Sequence, residues 1–375
     1  MTLKHLSLTN YKNIEEAALS FSDKLNCIIG ANGMGKTNLL DSIYFLSFTR
    51  TNGYLPDSMI IRHGEEMALV SGEYKVQDAI EQVTIGLQKG KNKVLKRNKK
   101  EYTKMSDHIG LFPLVMVAPN DIELIQGGSQ ERRNFIDQSI SQESREFLTI
   151  AKGYKSLLEQ RNKLLKQEMG LDLSLLDVLN MQMAPLAQKI VECRKEWLWR
   201  LSPLFLHYYK TITDHTDEEV QLSYVSSGEV EEPNEEDFLH SWQANLKIDL
   251  ACGYTRIGPH RDDLKMVLNN YLVRKLGSQG QNKSYMVALK LAQYSMLCEM
   301  YPNNLPILLL DDIFDKLDEK RVEKIVDLVG GNQFGQIFMS DTNRKYLDKI
   351  LLRRAEGSYS IFRAINGSFT DITSK

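Results

Sequence analysis

Residues 30–37, with the sequence GANGMGKT, constrain the fold of this chain more than any other segment. They fit the pattern G-x-x-x-x-G-K-S/T, in which a loop joins a buried strand to the start of a helix. The apolar run LNCIIG at residues 25–30 predicts the strand, and apolar side chains recur at helical spacing through residues 38–47. The sequence therefore predicts a phosphate-binding loop in an α/β domain.

The residue types of this loop suit a nucleoside triphosphate. Glycine lets the backbone approach phosphate oxygens closely with its N–H groups turned inward. The start of the helix adds a partial positive charge at the same place. Lys36 would reach the terminal phosphates, and the hydroxyl group of Thr37 would hold Mg²⁺. The candidate nucleotide-binding residues are Gly30, Ala31, Asn32, Gly33, Met34, Gly35, Lys36 and Thr37.

A second motif, LLLDD at residues 308–312, predicts a buried strand that ends in two carboxylates. Mg²⁺ prefers hard oxygen ligands, so Asp311 is a candidate metal ligand together with Thr37. Asp312 points differently and is the candidate to orient or deprotonate an attacking water. The guanine-reading pattern N/T-K-x-D is absent from the sequence, which favours ATP as the nucleotide.

A loop of small polar residues, GSQGQN at 277–282, precedes a strongly amphipathic helical pattern. Such a loop at a helix start has free N–H groups and a serine hydroxyl, which together can bind phosphate. One nucleotide cannot easily use two phosphate loops from one chain, so the second loop would act on the nucleotide of another copy. Alternatively, the loop only forms the N-cap of the helix and binds no phosphate.

Composition excludes several classes of protein. Hydrophobic residues make up 42% and charged residues 26% of the 375 residues, which is typical of globular proteins. The sequence has no secretory signal and no run of about 18 apolar residues, so we expect no membrane contact and a cytoplasmic location. The four cysteines are scattered, which favours buried thiols over zinc sites or disulfides.

The formal net charge is −2, so binding to nucleic acid would need a local basic patch. The best candidate is residues 89–104, where eight of sixteen residues are lysine or arginine. A basic hairpin there would neutralise DNA phosphates. Alternatively, the lysines protect the edge of a sheet from pairing with another chain.

The order of the elements predicts a sheet domain with an inserted helical arm. Residues 129–213 have helical periodicity, with Ser129 as the expected N-cap and interruptions at Pro185 and Pro203. The acidic residues 214–237 predict a solvated connection. The C-terminal part alternates strands and helices, which favours a largely parallel sheet covered on both faces.

The motifs together resemble the RecF family, within the ABC-type ATPases of DNA repair and chromosome maintenance. Beyond the N-terminal region and the SQGQ loop, the segments that carry the resemblance are APNDIELIQGGSQERRNFID, GPHRDDL and LLLDDIFDKLDEKR, at 118–137, 258–264 and 308–321. The resemblance covers essentially the whole chain.

This resemblance implies an α/β fold of the ABC-type P-loop ATPase head. Such a head has a mixed or parallel sheet with flanking helices, an N-terminal antiparallel β part and an inserted helical lobe. Residues 1–117 and 300–375 would form the ATPase lobe, and residues 118–299 the helical lobe with its arm and signature loop.

The resemblance also implies roles for single residues. Asp311 would be the Walker B acid, and the catalytic residues would be Lys36 and Asp312, the latter where other ABC enzymes keep a glutamate. Asp341 falls near the position of a switch histidine. The shorter acid and the missing histidine agree with a weak ATPase. The residues implied to act on the partner's nucleotide, in the signature loop and the D-loop, are Ser278, Gln279, Gly280 and Asp318.

The implied activity is a weak, DNA-stimulated ATPase that uses ATP and Mg²⁺. The ATP-bound form would be a homodimer on DNA, at single-stranded gaps and junctions of single- and double-stranded DNA, and slow hydrolysis would release it. The implied protein partners are RecR, RecO and, indirectly, RecA. Two other functions stay open: the nucleotide-binding subunit of a transporter, and a scaffold that binds ATP without hydrolysing it.

Overall fold

The computed structural model describes residues 1–167, 171–213, 217–315, 317–331, 333–342 and 359–373. The chain divides into two compact units. The first consists of Met1–Asp121, Tyr208–Asp214 and Gln279–Lys375, and the second of Ile122–His207 and His215–Ser278.

Fifteen strands lie within the described residues. They are β1 (Thr2–Tyr11), β2 (Ile14–Ser20), β3 (Leu25–Ile29), β4 (Met67–Val76), β5 (Ala79–Gln88), β6 (Val94–Arg97), β7 (Lys100–Glu101), β8 (Leu114–Val117), β9 (Val220–Val225), β10 (Asp263–Leu268), β11 (Tyr271–Leu272), β12 (Ile307–Asp311), β13 (Ile337–Asp341), β14 (Tyr359–Ile365) and β15 (Ser368–Asp371).

Eleven α-helices and two 3₁₀ turns, Met105–His108 and Pro119–Ile122, lie within the same residues. The helices are α1 (Lys36–Phe48), α2 (Asp57–Ile60), α3 (Glu123–Gln126), α4 (Ser129–Glu143), α5 (Arg145–Leu165), α6 (Leu173–Thr213), α7 (Glu235–Ala244), α8 (Leu246–Cys252), α9 (Val273–Leu276), α10 (Gln279–Met300) and α11 (Glu319–Gly330).

One six-stranded sheet of the first unit brings the two sequence motifs together. Its strand order is β15-β14-β3-β13-β12-β8, and all neighbours pair in parallel except β14 and β15. The continuous apolar runs of β3, β12 and β13 are buried along nearly their whole length, as the sequence predicts for a parallel sheet. Because parallel strands end at one edge, the P-loop after β3 and the acids after β12 lie at the same edge.

The second sheet of this unit is antiparallel, in the order β2-β1-β4-β5-β6-β7. Buried and exposed side chains alternate along β1 and β4, which matches one face on the core and one in water. The buried face shares a core with the apolar side of α1, through side chains such as Leu3, Leu6, Ile43 and Leu46. The N-terminal antiparallel β part that the resemblance implies and the predicted helix after the P-loop are therefore confirmed.

The second unit contains α3–α5, α6 up to His207, α7–α9 and a three-stranded sheet in the order β11-β10-β9. Its longest helix, α6, runs without a break through Pro185 and Pro203, so the predicted interruptions are wrong. Each proline deprives one carbonyl of a donor, that of Met181 or Trp199. Those residues are 67% and 79% exposed, so water reaches this side of the helix and can replace the missing bonds.

Two further details differ from the sequence predictions. The N-cap of α4 is Gly128, and Ser129 is the first helical residue. The acidic segment 214–237 is not only a connection, because it contains β9 and the start of α7, which Asn234 and Asp237 close with a capping box. Residues 214–216 lie outside the described residues. Strand β9 contains apolar side chains, and its backbone N–H and C=O groups form hydrogen bonds with β10.

Helix α10 belongs by its contacts to the first unit, where it packs against β8. The sequence placed it in the helical lobe, residues 118–299. Its central part is buried on nearly all sides, which the apolar pattern alone cannot assign to one unit or the other. The functional lobe boundaries at 117/118 and 299/300 stay a prediction.

Candidate functional site

The P-loop has the geometry that its sequence predicts. Gly33 and Gly35 have φ angles of 80° and 101°, in the left-handed region that favours glycine. Gly30 is required for a different reason: a Cβ atom there would lie 2.6 Å from the carbonyl oxygen of Ala364 on β14. The start of the loop thus lies against β14, while Ala31 and Asn32 stay exposed.

Lys36, the first residue of α1, is buried with its ammonium group turned into the loop. Its Nζ donates to the carbonyl oxygens of Gly30 at 2.8 Å and of Ala31 at 3.1 Å. Carbonyl oxygens are weaker partners for an ammonium group than phosphate oxygens are. The loop therefore holds a positive charge at the helix start, in a place where a phosphate group would be the stronger partner.

The hydroxyl group of Thr37 and the carboxylate of Asp311 meet at the edge of the sheet. Thr37 Oγ1 donates to Asp311 Oδ1 at 3.2 Å, and Ser340 Oγ donates to the same oxygen. Thr37 is exposed, while only 1% of the surface of Asp311 is exposed. A hydroxyl and a carboxylate are hard oxygen donors, so this pair fits Mg²⁺ with phosphate oxygens and water as the remaining ligands.

Burial raises the pKa of Asp311 above its ordinary value, and the negative charge of Asp312 raises it further. The hydrogen bonds from Ser340 and Thr37 and the charge of Lys36 oppose this shift only in part. The surroundings therefore disfavour a negative charge on Asp311, and a cation at this position would stabilise that charge.

Asp312 leaves the strand with a φ angle of 43°, a left-handed conformation that costs most residues energy and that aspartate tolerates better. Its backbone N–H donates to Ser340 Oγ at 3.2 Å. Ser340 therefore positions both acids, since it also binds Asp311. The sequence analysis missed Ser340. Its place at the end of the strand QIFMSD, next to the acids in a parallel sheet, is the signal that could have identified it.

Asp41 on α1 supports the P-loop helix from its inner side. Its carboxylate accepts from Tyr11 Oη at 2.8 Å, from Lys12 Nζ at 2.6 Å and from the backbone N–H of Asn52 at 2.9 Å. The cluster fixes α1 to the end of β1 and to the loop after α1. Sequence reasoning also missed it, because its partners come from two segments that are separate from Asp41, residues 11–12 and residue 52.

The structure places four of the remaining predicted residues in three other settings. Ser278 and Gln279 are exposed at the start of α10, and Asp318 is the N-cap of α11, where it accepts from the backbone N–H of Arg321 at 3.0 Å. Asp341 ends β13, and its carbonyl oxygen accepts from the backbone N–H of Gly30 at 3.3 Å. These positions leave their roles toward a nucleotide as predictions.

Comparisons with known proteins agree with this arrangement. The family model described as the RecF/RecN/SMC N-terminal domain matches residues 2–363. The protein named DNA replication and repair protein RecF from Parabacteroides distasonis is 48% identical, with 98% of each chain covered. Its namesake from Bacteroides thetaiotaomicron is 44% identical, with 99% of each chain covered.

The chain belongs to the RecF family. A solved structure of the recombination mediator protein RecF with ATP, of the RecFOR pathway, superposes with a TM-score of 0.87 at 28% identity, with 99% of both chains covered. An Smc head bound to the C-terminal winged-helix domain of ScpA superposes with a TM-score of 0.59 at 14% identity, which shows the shared fold. The predicted family and the ABC-type fold are confirmed.

The segment GPHRDD of this RecF-family chain connects several elements of the second unit. Asp263 accepts a two-point ion pair from Arg132 at 2.6 and 3.1 Å, and the carbonyl oxygen of Asp262 accepts from Arg133 at 2.6 Å. Arg194 donates to the carbonyl oxygen of Pro259 at 2.6 Å. The motif therefore binds α4 and α6 to the start of β10, a role that sequence reasoning did not assign.

His260 in this motif has a structural setting as well. One ring nitrogen, Nε2, lies 2.9 Å from the carbonyl oxygen of Thr255, and Nδ1 lies 2.8 Å from Tyr154 Oη. The carbonyl oxygen requires a donor, so Nε2 carries the proton and Nδ1 accepts from the tyrosine. Burial lowers the pKa of His260 to about 4, so the ring is neutral at physiological pH.

The basic residues at 89–104 of this RecF-family chain divide into two groups. Three are bound to acidic groups of the same unit: Lys89 to Glu66, Lys93 to Asp57 and Arg97 to Glu81. The other five are exposed, and none of them forms an ion pair with an acidic group among the described residues. These five are Lys91, Lys96, Lys99, Lys100 and Lys104.

Among the described residues, no helix combines the length and the apolar character that crossing a membrane requires.

Proposed function

We propose that this RecF-family chain is an ATP-dependent DNA-binding protein of recombinational repair, whose ATP-bound form is a homodimer. The observation that carries the proposal is the meeting of the P-loop, Thr37 and the acids Asp311 and Asp312 at one sheet edge. Its relatives in DNA replication and repair and the RecFOR pathway of the similar solved structure support a place in DNA repair. The protein partners would be RecR and RecO and, indirectly, RecA, as the resemblance implies.

Each residue at the sheet edge would have its own role toward the nucleotide. Lys36 would exchange its loop carbonyls for the terminal phosphates, which are stronger partners. Thr37 and Asp311 would hold Mg²⁺, and the metal would neutralise charge on the phosphates. Asp312 would orient the attacking water and accept its proton.

Weak hydrolysis fits the setting of these residues. Asp312 is one methylene shorter than glutamate, so its carboxylate would not reach as far toward the attacking water as the glutamate of related enzymes. Asp341 stands where related enzymes use histidine, and a carboxylate would repel the phosphate that a histidine would bind. A slow ATPase suits a switch whose bound state must last.

The signature loop would complete the site in the partner subunit. Ser278 and Gln279 are exposed at the start of a 22-residue helix, where backbone N–H groups and the helix dipole favour an anion. ATP that is contacted by both subunits stabilises the dimer by mass action, and DNA bound across both subunits adds to this stabilisation.

DNA contact is assigned to the five exposed lysines, Lys91, Lys96, Lys99, Lys100 and Lys104. Lysines already bound to carboxylates contribute little net charge, whereas these five add a local excess of positive charge to a chain of net charge −2. Contacts to phosphate oxygens give affinity without sequence preference, which suits a protein that recognises gaps and junctions by shape.

The decisive experiment measures molecular mass in solution without nucleotide, with ADP, and with ATP and Mg²⁺. The wild type should become a dimer only with ATP, and Ser278→Arg should stay a monomer because the larger cation blocks the loop. Ser174→Arg, at an exposed serine of α6, is the matched control and should dimerise normally.

Two outcomes would contradict the proposal. A mass that does not change with nucleotide would mean that the loop at 277–282 only begins α10. Normal dimerisation of Ser278→Arg would mean that the dimer forms through another surface. A turnover assay on the same samples, with and without DNA, distinguishes a slow DNA-stimulated ATPase from a scaffold that never hydrolyses ATP.

A further inference from the structure

One arginine connects the signature loop with the segment after the Walker B strand. Arg321 lies in the first turn of α11, and its side chain is largely buried. A Cβ atom built on Gly280 would overlap Nη1 of Arg321. The guanidinium group therefore occupies the space that any side chain at position 280 would need.

Asp318 holds this arginine from the other side. Its Oδ2 lies 3.3 Å from Nε of Arg321, and its Oδ1 accepts from the backbone N–H of the same residue at 3.0 Å. One oxygen thus fixes the start of α11, and the other fixes the direction of the guanidinium group. The planar fork of arginine suits this geometry, because two of its edges can be used at once.

A second contact joins the same two segments. Nζ of Lys283, in the first turn of α10, donates to the carbonyl oxygen of Asp315, between β12 and α11. The start of the signature helix is therefore held at two points, Gly280 and Lys283, by the chain segment that contains Asp318. All of these residues belong to the first unit.

We propose that Arg321 is a positioning residue that locks the D-loop to the signature loop, so that Asp318 and Gly280 approach the partner's nucleotide as one rigid surface. The proposal rests on the ATP-dependent dimer described above and adds a residue to it. Position 280 then favours glycine for a reason within the subunit, since a larger residue there would displace the guanidinium group of Arg321.

The physical reason is preorganisation. Two separate loops that become ordered only on binding lose conformational entropy at that moment, which weakens the dimer. Loops that are already fixed to each other avoid this loss. Any side chain at position 280 would push Arg321 away from the loop, so Gly280→Ala and Arg321→Ala would break the same link.

The test is a double-mutant cycle on the full chain with Gly280→Ala, Arg321→Ala and the double variant. We measure the affinity of the monomer for a fluorescent ATP analogue and the dissociation constant of the ATP-dependent dimer. ATP affinity should be unchanged in all three, and the dimer should weaken about tenfold in each single variant. The double variant should also weaken about tenfold, rather than a hundredfold, because both changes remove one link.

Three further samples separate positioning from simple loss of stability. Arg321→Lys should fail to restore the dimer, since lysine keeps the charge and lacks the fork. Lys320→Ala, at the exposed neighbouring position of α11, should behave as wild type. The melting temperature of Arg321→Ala should stay close to that of wild type, because the ion pair with Asp318 is partly exposed.

The result that overturns the inference is a wild type that dimerises with ATP together with an Arg321→Ala variant that dimerises equally well. Effects of the two single variants that multiply in the double variant would overturn it too, because they would indicate separate roles. A wild type that stays monomeric with ATP would instead contradict the proposed function, on which the inference rests.

Discussion

Asp311 shows, at the scale of a single residue, how function and stability conflict in this protein. The carboxylate is almost fully buried, and its pKa is raised mainly by that burial. Its two hydrogen bonds, from Thr37 and Ser340, do not fully replace water. A role as a metal ligand explains this setting, because a bound cation would supply the positive charge that the protein surroundings do not provide.

We predict that Asp311→Asn stabilises the nucleotide-free protein by about 0.5–2 kcal/mol, as expected when a charge is removed from a functional site. The asparagine oxygen can still accept from Thr37 and Ser340. The same variant should lose at least about a hundredfold in turnover, because a neutral amide is a poor ligand for Mg²⁺. Thermal melting without nucleotide and a steady-state ATPase assay measure the two effects.

The pH dependence of this prediction follows from the direction of the pKa shift. The folded state binds a proton at Asp311 more tightly than the unfolded state does, so acid favours the folded wild type at this residue. The stability advantage of Asp311→Asn should therefore be largest above the raised pKa and should shrink as pH falls through it. An advantage that is constant with pH would mean that charge is not its cause.

At the scale of elements, a buried ion pair joins α5 to α8. Arg161 is fully buried, and its Nη1 donates to Asp249 at 2.9 Å, while its Nε donates to Asn180 on α6 at 2.8 Å. The guanidinium carbon also lies 5.7 Å from the centre of the Trp242 ring. Helices α5, α6, α7 and α8 therefore meet at this one side chain.

Arg161→Met should destabilise the second unit by about 3–5 kcal/mol, because it leaves Asp249 buried without its cation. Asp249→Leu should cost a similar amount, and the variant with both changes should cost less than either one. All three tryptophans, Trp197, Trp199 and Trp242, lie in the second unit, so tryptophan fluorescence during denaturant unfolding follows that unit.

The matched control is an exposed ion pair on the same helix, between Lys155 and Glu159 at 4.0 Å. Lys155→Met should leave the denaturant midpoint almost unchanged, because solvent screens the pair. If Arg161→Met were as mild as this control, the buried pair would not hold the arm together. If the variant with both changes were the least stable of the three, unpaired charge would not be the cause.

For the whole molecule, net charge does not predict where DNA binds. Acidic residues slightly outnumber basic ones, and three of the eight basic residues at 89–104 are held by carboxylates of the same unit. The remaining lysines leave a local excess of positive charge on β6, β7 and the adjoining loops. Binding through such a patch should depend steeply on salt, because phosphate contacts release counterions.

We predict that the variant Lys96→Glu/Lys100→Glu weakens ATP-dependent DNA binding and lowers the slope of log affinity against log salt by about 2, as expected for two lost phosphate contacts. ATP affinity and dimer formation should not change. Lys247→Glu, at an exposed lysine of α8, is the control. Unchanged DNA binding in the double variant would contradict the proposed DNA contact. The lysines would then serve only to protect the edge of the sheet from pairing with another chain.

The sequence by itself determined the family, the ABC-type fold and the local chemistry of the P-loop. These features depend on short-range rules: glycines permit the tight loop, an apolar run of five residues forms a buried strand, and hydrophobic spacing gives α1. Asp311 and Asp312 could be identified for the same reason, since they end such a strand. The roles proposed for these residues stay predictions that follow from residue types.

Tertiary structure alone decided which distant segments meet. Ser340 could be identified only from the register of β13 with β12. The Asp41 cluster could be identified only because three separate segments of the chain meet there. The contact of Arg321 with Gly280 depends on how α11 packs against the start of α10. The continuity of α6 through two prolines depends on which side of the helix faces water. Such contacts follow from the packing of the whole chain, which no local pattern of residues records.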